Sequence, residues 1–386
     1  MKSHHSYSIR ASVAAICLLA AGATRAQDAS SLAATDVFSR PEAAHAVFVM
    51  TNDANSNEVL AFERNGNGSL RQPHSYSTEG RGSGGTVDPL ASQGSLTLSQ
   101  DHSWLFAANA GSGSVSVFHV NGARLDLTDK VPTQGSEPNA VAEHGNLVYV
   151  LNTAGSSSVV GFRLIAGHLR PIEHSLRFLS TNGAGSASLS FSPDGRYLLV
   201  TERTTNSIDV FSVLPDGRLS TLTNNAGRPG TFSVGFAPNG TAIVSETGPG
   251  GANSSTVSSY AVQGNRSLKA ISHLPTGGDA NCWNAITPNG RFVYVSNAGT
   301  SSIAGFALGN GGTLTALPGT VVGHNPDGAA NLDIVISSDG AFLYTLNAGA
   351  GSVGVFAIDA KSGSLKKLGT VDDLPAGAGL NGIAAN

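Results

Sequence analysis

One position recurs at seven strand ends in this sequence, and the residues there are Asn52, Asn109, Asn152, Glu202, Glu246, Asn297 and Asn347. Asparagine suits such a place because its amide hydrogen-bonds nearby backbone and tolerates left-handed geometry before a tight turn. Glu202 and Glu246 depart from that default in adjacent repeats. Two carboxylates at one opening can supply a general base, share a proton or bind a cation. The plainer alternative is a pair of solvated loop acids, one of them a partner for Arg203. Arg203, Arg228 and His324, in other loops, are the basic groups that could act with them. Trp283 can stack on a flat or sugar-like ligand or pack between repeats, and Asn152, Asn297 and Asp333 are the expected polar binding groups.

The loops ahead of the innermost strands differ from repeat to repeat, which is where specificity would be written. They carry Arg81 and Asp88, Glu137, Arg228, His273 with Asp279, and His324 with Asp327. The sequence has no His-x-x-x-His and no paired cysteines, so no zinc site is expected. Calcium held by Glu and Asn oxygens is left open, because ligands drawn from separate repeats leave no local motif. A Gly-x-Ser-x-Gly nucleophile turn is absent, and the Gly82-Ser83-Gly84-Gly85 stretch lacks the lysine and helix of a phosphate loop. No cofactor is therefore expected. A net charge of −4 gives no basic footprint for nucleic acid and no polybasic membrane patch. The expected partners are a small molecule, such as a sugar-like one, or a protein on the same face, met by a monomer.

The elements that position these residues are strands. An apolar strand, a polar loop and an alternating strand ending in an aromatic recur seven times: Val47 to Phe62, Leu105 to Phe118, Val148 to Phe162, Tyr197 to Phe211, Ala242 to Tyr260, Phe292 to Phe306 and Phe342 to Phe356. The closing aromatics are 44 to 56 residues apart, the spacing of four-stranded propeller blades. Each phrase is followed by Gly-x-Leu or a near variant, such as Gly217-Arg218-Leu219 or Gly312-Thr313-Leu314, which leads into an outer strand. Ahead of each comes an inner run closed by a turn, such as Ser192-Pro193-Asp194-Gly195. The first phrase lacks its inner run, and Leu380 to Ala385 at the far end supplies one. The fold expected is all-β, a seven-bladed β-propeller of four-stranded antiparallel blades whose C-terminal strand completes blade one and leaves fewer free edges.

Lys2 and Arg10 precede an apolar run from Ala11 to Ala23, and Thr24-Arg25-Ala26 follows, the pattern of a secretory signal peptide cut after Ala26. Residues 27–45 then form a polar leader, 46–386 the propeller, and the mature protein is expected to be periplasmic or secreted. Only Cys282 survives cleavage, so no intramolecular disulfide can form.

The phrases Leu105 to Phe118, Ser192 to Gly195 and Phe292 to Asn297 resemble those of lactonase-type seven-bladed propellers, a family that includes 6-phosphogluconolactonases and carboxymuconate cyclases. The resemblance covers residues 46 to 386 and implies a lactone hydrolase or cycloisomerase, with Glu202 as base or electrostatic partner and Glu246 assisting. Enzymes of this family place an Arg-His or Pro-His pair at the start of an inner strand and a Glu at the end of the next. Glu202 matches that Glu, while Gly183 to Ser188 carries neither Arg nor His. A neutral or carboxylated lactone is therefore expected over a phosphorylated one. The alternative is a non-catalytic binding propeller.

Overall fold

Apolar residues on both faces of a strand require cover on both faces, and the repeated phrases obtain it by stacking sheet against sheet. In the computed structural model each phrase forms the middle of an antiparallel sheet, and there are seven such sheets. The structure describes residues 45–86 and 88–386, so the expected signal peptide and the leader up to residue 44 lie outside the described residues. Blades 1 to 7 are identified by their second strands: Ala46–Met50, Trp104–Asn109, Leu147–Ala154, Tyr197–Glu202, Thr241–Glu246, Phe292–Asn297 and Phe342–Asn347. Blade 5 shows the pattern, with Thr231–Phe236, Thr241–Glu246, Thr256–Val262 and Leu268–Pro275 hydrogen-bonded in that order. Among the described residues no helix is long and apolar enough to cross a membrane.

The seams between blades hold the core. The seven repeat-marking aromatics, Phe62, Phe118, Phe162, Phe211, Tyr260, Phe306 and Phe356, are all buried. Each buried side chain of this size stabilises the fold by about 1.5–3 kcal/mol. Polar stitches cross the seams as well. The Tyr149, Tyr294 and Tyr344 hydroxyls donate to the carbonyls of Gly217, Gly363 and Gly68 at 2.9, 2.7 and 3.2 Å, each in the third-to-fourth-strand turn of the next blade. Gly68 has a φ of +86°, and a Cβ there would lie 2.3 Å from the Phe342 ring, so the turn needs glycine on both counts.

The ring closes as the sequence predicts. Ile383–Ala385 pairs antiparallel with the first strand, in the register Val47↔Ala385, Phe48↔Ala384 and Val49↔Ile383. The Met50 amide donates to Gly382 O at 3.1 Å, and the Asn386 side chain accepts from the Ala46 amide at 2.6 Å.

Two details differ from the expected repeat. Blade 3 has a split outer strand, His168–Pro171 and Arg177–Phe178, both paired with Ser158–Ile165. Pro171 offers no amide hydrogen; beyond it Gly161 O accepts from the Ile172 amide at 3.0 Å and from the Ser175 hydroxyl at 3.2 Å, and that hydroxyl accepts the Gly161 N–H at 3.1 Å in place of a strand carbonyl. In blades 1 and 4 the leucine of Gly-x-Leu makes only an isolated bridge, Arg64↔Leu70 and Val213↔Leu219. The outer strands there start later, at His74 and Thr223.

Deleting Leu380 to Asn386 removes these closing hydrogen bonds and the burial of Leu380 and Ile383. The expected loss is on the order of 5 kcal/mol or more, read as a large fall in thermal midpoint by circular dichroism.

Candidate active site at the channel mouth

Antiparallel blades put the connections into each innermost strand on the same face as the loops between second and third strands. Most of the sequence-predicted residues lie on that face, but they do not converge. Glu202 has no exposed surface. The Ser180 amide donates to one of its oxygens at 2.9 Å, and the hydroxyls of Ser180 and Thr205 donate to the other. It therefore ties the connection from blade 3 to the second strand of blade 4. Asp209, on the next strand, is also buried; Asn224 donates to one oxygen at 2.7 Å and the other has no partner among the described residues. Burial pushes the Asp209 carboxyl well above the usual range, and the neighbouring Glu202 adds to that, against the Asn224 hydrogen bond.

Glu246 is equally buried but belongs to blade 5. It accepts from the Thr256 hydroxyl at 2.6 Å and lies 3.6 Å from His273 Nδ1, while its other oxygen has no partner among the described residues. Burial raises its pKa, and the charge of Arg228 opposes the rise. The structure thus brings Glu246 together with Arg228 and His273, and leaves Glu202 with Ser180 and Asp209. The two glutamates share no hydrogen-bond partner among the described residues.

Asn152 and Asn297 are buried and donate to Thr133 O and Ser302 Oγ, both at 3.2 Å. The connection into each blade crosses directly above them on glycine. A Cβ on Gly135 would lie 2.5 Å from Asn152 Cγ, and one on Gly278 2.6 Å from Asn297 Nδ2. His324 is exposed at the end of the outer strand of blade 6, paired with Ser302.

The centre of the ring is filled. Trp283 is 1% exposed, meets Phe232 edge-on at 5.3 Å and donates its indole N–H to Ser92 O at 2.8 Å. Its ring is therefore a packing surface with no face open to solvent. The adjacent Gln93, which leads into blade 2, reaches across to blades 6 and 7. Its amide nitrogen donates to Asn284 O at 2.9 Å and to Asp333 Oδ1 at 3.1 Å, while its backbone N–H donates to Ala187 O of blade 4 at 2.9 Å. Asp333 is buried at a left-handed φ of +105°. It also accepts from the Ile383 amide at 3.1 Å, and burial pushes its pKa up to about 7.

Above this bridge lie the groups that reach solvent. Arg203 is exposed, and its guanidinium carbon stands 5.8 Å above the Phe232 ring. Asp88, in the long Gly-rich loop from blade 1 to blade 2, is half-buried and accepts from Asn381 Nδ2 at 3.4 Å. Burial pushes its pKa up to about 6, and the positive charge of Arg203 is the largest opposing influence. Beneath them Cys282 is a buried thiol whose pKa burial drives up, leaving it unreactive. On the same face a cleft of about 600 Å³ runs along the connections of blades 1 to 3, with Arg81, Ser83, Ser112 and Glu137 in its walls. Among the described residues no group of three or more His, Cys, Asp and Glu is gathered to hold a metal ion.

A carboxyl with its pKa raised to about 6 and an arginine whose charge acts on it can together move a proton and stabilise an oxyanion. Sequence reasoning named Arg203 as a site residue and Asp88 only as a loop residue, and it missed that the charge of one acts on the other. The available signal was the length of the connection from Thr78 to Ser95, 18 residues against three to eleven for the other connections into innermost strands.

The model of a family described as "Lactonase, 7-bladed beta-propeller" matches residues 43–181, 236–331 and 313–375. No curated protein matches the chain. Among solved structures, one from Bacteroides uniformis with a provisional 6-phosphogluconolactonase name is 21% identical, with a TM-score of 0.68 over 89% of this chain and 100% of that one. A second such protein, from Bacteroides fragilis, is 20% identical at a TM-score of 0.68, covering 90% of this chain and 99% of that one. The periplasmic gluconolactonase of Pseudomonas aeruginosa is 19% identical at a TM-score of 0.65, covering 88% and 98%. At these identities the structural likeness speaks to the fold alone. Residues 182–235, which the family model passes over, contain blade 4 with Glu202 and Arg203.

The buried Asp209 has a pH signature. Its pKa is raised on folding, so the native state binds the proton more tightly, and the stability this confers at low pH is lost as pH rises from about 4 towards neutrality. Asp209→Asn keeps a donor towards Glu202 and an acceptor for Asn224. It should flatten that decline and raise the thermal midpoint at pH 8 by about 2 °C, on the order of 1 kcal/mol. Melting curves of both proteins from pH 4 to 8 check this.

Proposed function

Because this chain belongs to the lactonase family of seven-bladed β-propellers, we propose that it is an exported enzyme that opens a neutral or carboxylated lactone at the channel mouth. The observation that carries the reading is that half-buried Asp88, held by Asn381 at the closing strand, and exposed Arg203, held over the Phe232 ring, reach solvent on one face, with the charge of Arg203 acting on the Asp88 carboxyl. The leader pattern before Ala26 supports export.

In this reading the lactone sits at the mouth with its carbonyl oxygen towards the Arg203 guanidinium, which rests on the buried Phe232 ring. Ionised Asp88 accepts a proton from water as the water oxygen bonds to the carbonyl carbon, and Arg203 stabilises the resulting oxyanion. When the ring C–O bond breaks, the protonated Asp88 returns its proton to the departing ring oxygen. One water is consumed and one hydroxy acid is formed. Asn381 holds Asp88 from the side of the closing strand. Glu202 and Glu246 have no exposed surface, so they act as positioning residues for the loops that carry Arg203 and Arg228. In its protonated form the same group can give its proton to the carbon left carbanionic when a carboxylate oxygen adds across a conjugated double bond, which is what an isomerisation to a lactone requires.

The substrate class follows from charge. Arg81, Arg203 and Arg228 offer separate cations on this face, each enough for a carboxylate, and among the described residues no pair of them is seen to gather as a phosphate monoester needs. A second reading, binding without turnover, is favoured by the Gly183 to Ser188 connection, which has neither Arg nor His.

The test is a panel of sugar, aliphatic and muconate-type lactones, assayed with and without Ca²⁺. Turnover is expected, with kcat/KM rising through about pH 6 as Asp88 ionises. Asp88→Asn should lower kcat/KM by about 10²–10⁴-fold and Arg203→Met by about 10²–10³-fold. Glu202→Gln should change the melting temperature more than the pH profile. Saturable binding with no turnover on any lactone would replace this reading with the second one.

A further inference from the structure

The innermost strands of blades 3 to 7 each begin with a break in register against the second strand, and the residue at the break is buried: Asn139, Ala187, Phe232, Cys282 and Leu332. Four of the five are apolar, as burial between strands favours. Asn139 is polar and donates its amide to two backbone carbonyls, Leu90 O at 3.4 Å and Ser186 O at 2.9 Å. In the closing segment of blade 1 the same place falls to Asn381, two residues before Ile383 as Ala187 stands two before Leu189. Asn381 is 1% exposed, and its backbone N–H donates to Met50 O at 3.2 Å. Its side chain alone in this set is turned on an acid.

The Asn381 amide is fixed at both ends. Its oxygen accepts from the Ser95 hydroxyl at 2.9 Å, which leaves its nitrogen to donate to Asp88 Oδ1 at 3.4 Å. Ser95 is itself fully buried ahead of the innermost strand of blade 2, where its carbonyl accepts the Ala108 amide at 2.9 Å. Gly382 permits the close approach, because a Cβ there would lie 2.5 Å from Ser95 Oγ and its φ is +87°. Around Asp88 stand Arg203 from blade 4, the Ala91 amide of its own loop, and Cys282 and Asp333 from blades 6 and 7, on whose protons its charge acts. Burial raises the Asp88 pKa, and Asn381 opposes the rise together with Arg203 and Ala91.

We propose that Asn381 is a positioning residue for the lactone reaction: oriented by Ser95, it holds the Asp88 carboxylate in its ionised form at the mouth, so that closing the ring also readies the base. This rests on the reading of Asp88 as the base. An amide N–H can only donate, and therefore favours the carboxylate over the protonated acid. Without the Ser95 hydroxyl the amide is free to turn its oxygen to Asp88, and that oxygen favours the protonated acid instead. The bond to Asp88 is long, so its loss should move the Asp88 titration by less than about one pH unit.

The test is the proton affinity of Asp88 in the mature chain, read by carboxyl-carbon NMR of labelled aspartates, with Asp88→Asn identifying the signal, and by the pH profile of kcat/KM on the lactone panel. Asn381→Asp keeps an acceptor for Ser95 and sets a second carboxyl against Asp88, so it should move the Asp88 midpoint up by about one pH unit or more. Ser95→Ala, which does not touch Asp88, should move it the same way by a smaller step. Added to Asn381→Ala it should bring no further shift, since it acts through that amide. An Asp88 midpoint unmoved by Ser95→Ala in a protein that still melts cooperatively overturns the proposal, and so does a Ser95→Ala shift that persists without the Asn381 amide. If no lactone is turned over, the reading of Asp88 as a base falls with its dependent step, while the NMR midpoints still decide whether Asn381 holds the carboxylate.

Discussion

Everything in this molecule depends on a three-residue strand at the end of the chain. Seven blades pack each sheet between two neighbours, so an open ring would leave two apolar faces and an unpaired edge in water. Ile383–Ala385 prevents this by completing the sheet that begins at Ala46. The backbone bonds are few, but they act across almost the whole chain length, and each contact they permit between first and last blades buries apolar surface that has no other cover. The closing segment also reaches the centre of the ring. Asp333 accepts from the Ile383 amide, and Asn381 reaches both Ser95 and Asp88. Closure, channel and candidate active site are therefore one hydrogen-bonded unit.

That unit explains why the channel is divided. Innermost strands converge on an axis where their connections present more polar groups than a narrow dry core can leave unpaired. Gln93 answers part of that demand by bonding to blades 4, 6 and 7 at once, and Trp283 fills the remaining space with hydrocarbon. Two mouths result, with different chemistry. One has an arginine above a buried phenylalanine and a carboxyl on which its charge acts; the other is lined by Gln93, Thr97, Gln100, Glu143 and two serines as well as by apolar residues.

The acids in the structure divide along the same lines. Surface aspartates such as Asp194 and Asp216 sit in turns where backbone amides and an adjacent arginine hold their pKa values down. Asp88, Glu143, Asp209, Asp333 and Glu246 are withdrawn from water, and burial raises them. Of these, Asp88 and Glu143 are open enough to solvent to exchange protons with it. The others hold blades and connections together.

The amino-acid sequence by itself determined the ring. The spacing of Phe62, Phe118 and their successors fixed the number of blades, because a strand ending in a buried aromatic has only one role in a stacked sheet. The missing inner run before Ala46 and the surplus one after Leu380 fixed the closure. Glu202 and Glu246 were legible as departures from asparagine, since a repeat makes any exception visible. Where their side chains go was decided by tertiary structure: the loops that descend on Ser180 and Arg228 bind them inside blades 4 and 5, and nothing in strand periodicity encodes that descent. The action of the Arg203 charge on Asp88 was hidden for the same reason. Those residues lie on connections from different blades, 115 positions apart in the chain, and only the closed ring brings them to one mouth. Trp283 passed from candidate binding surface to central packing because its environment is supplied by Ser92 and Phe232, residues whose proximity depends on the curvature of the whole propeller.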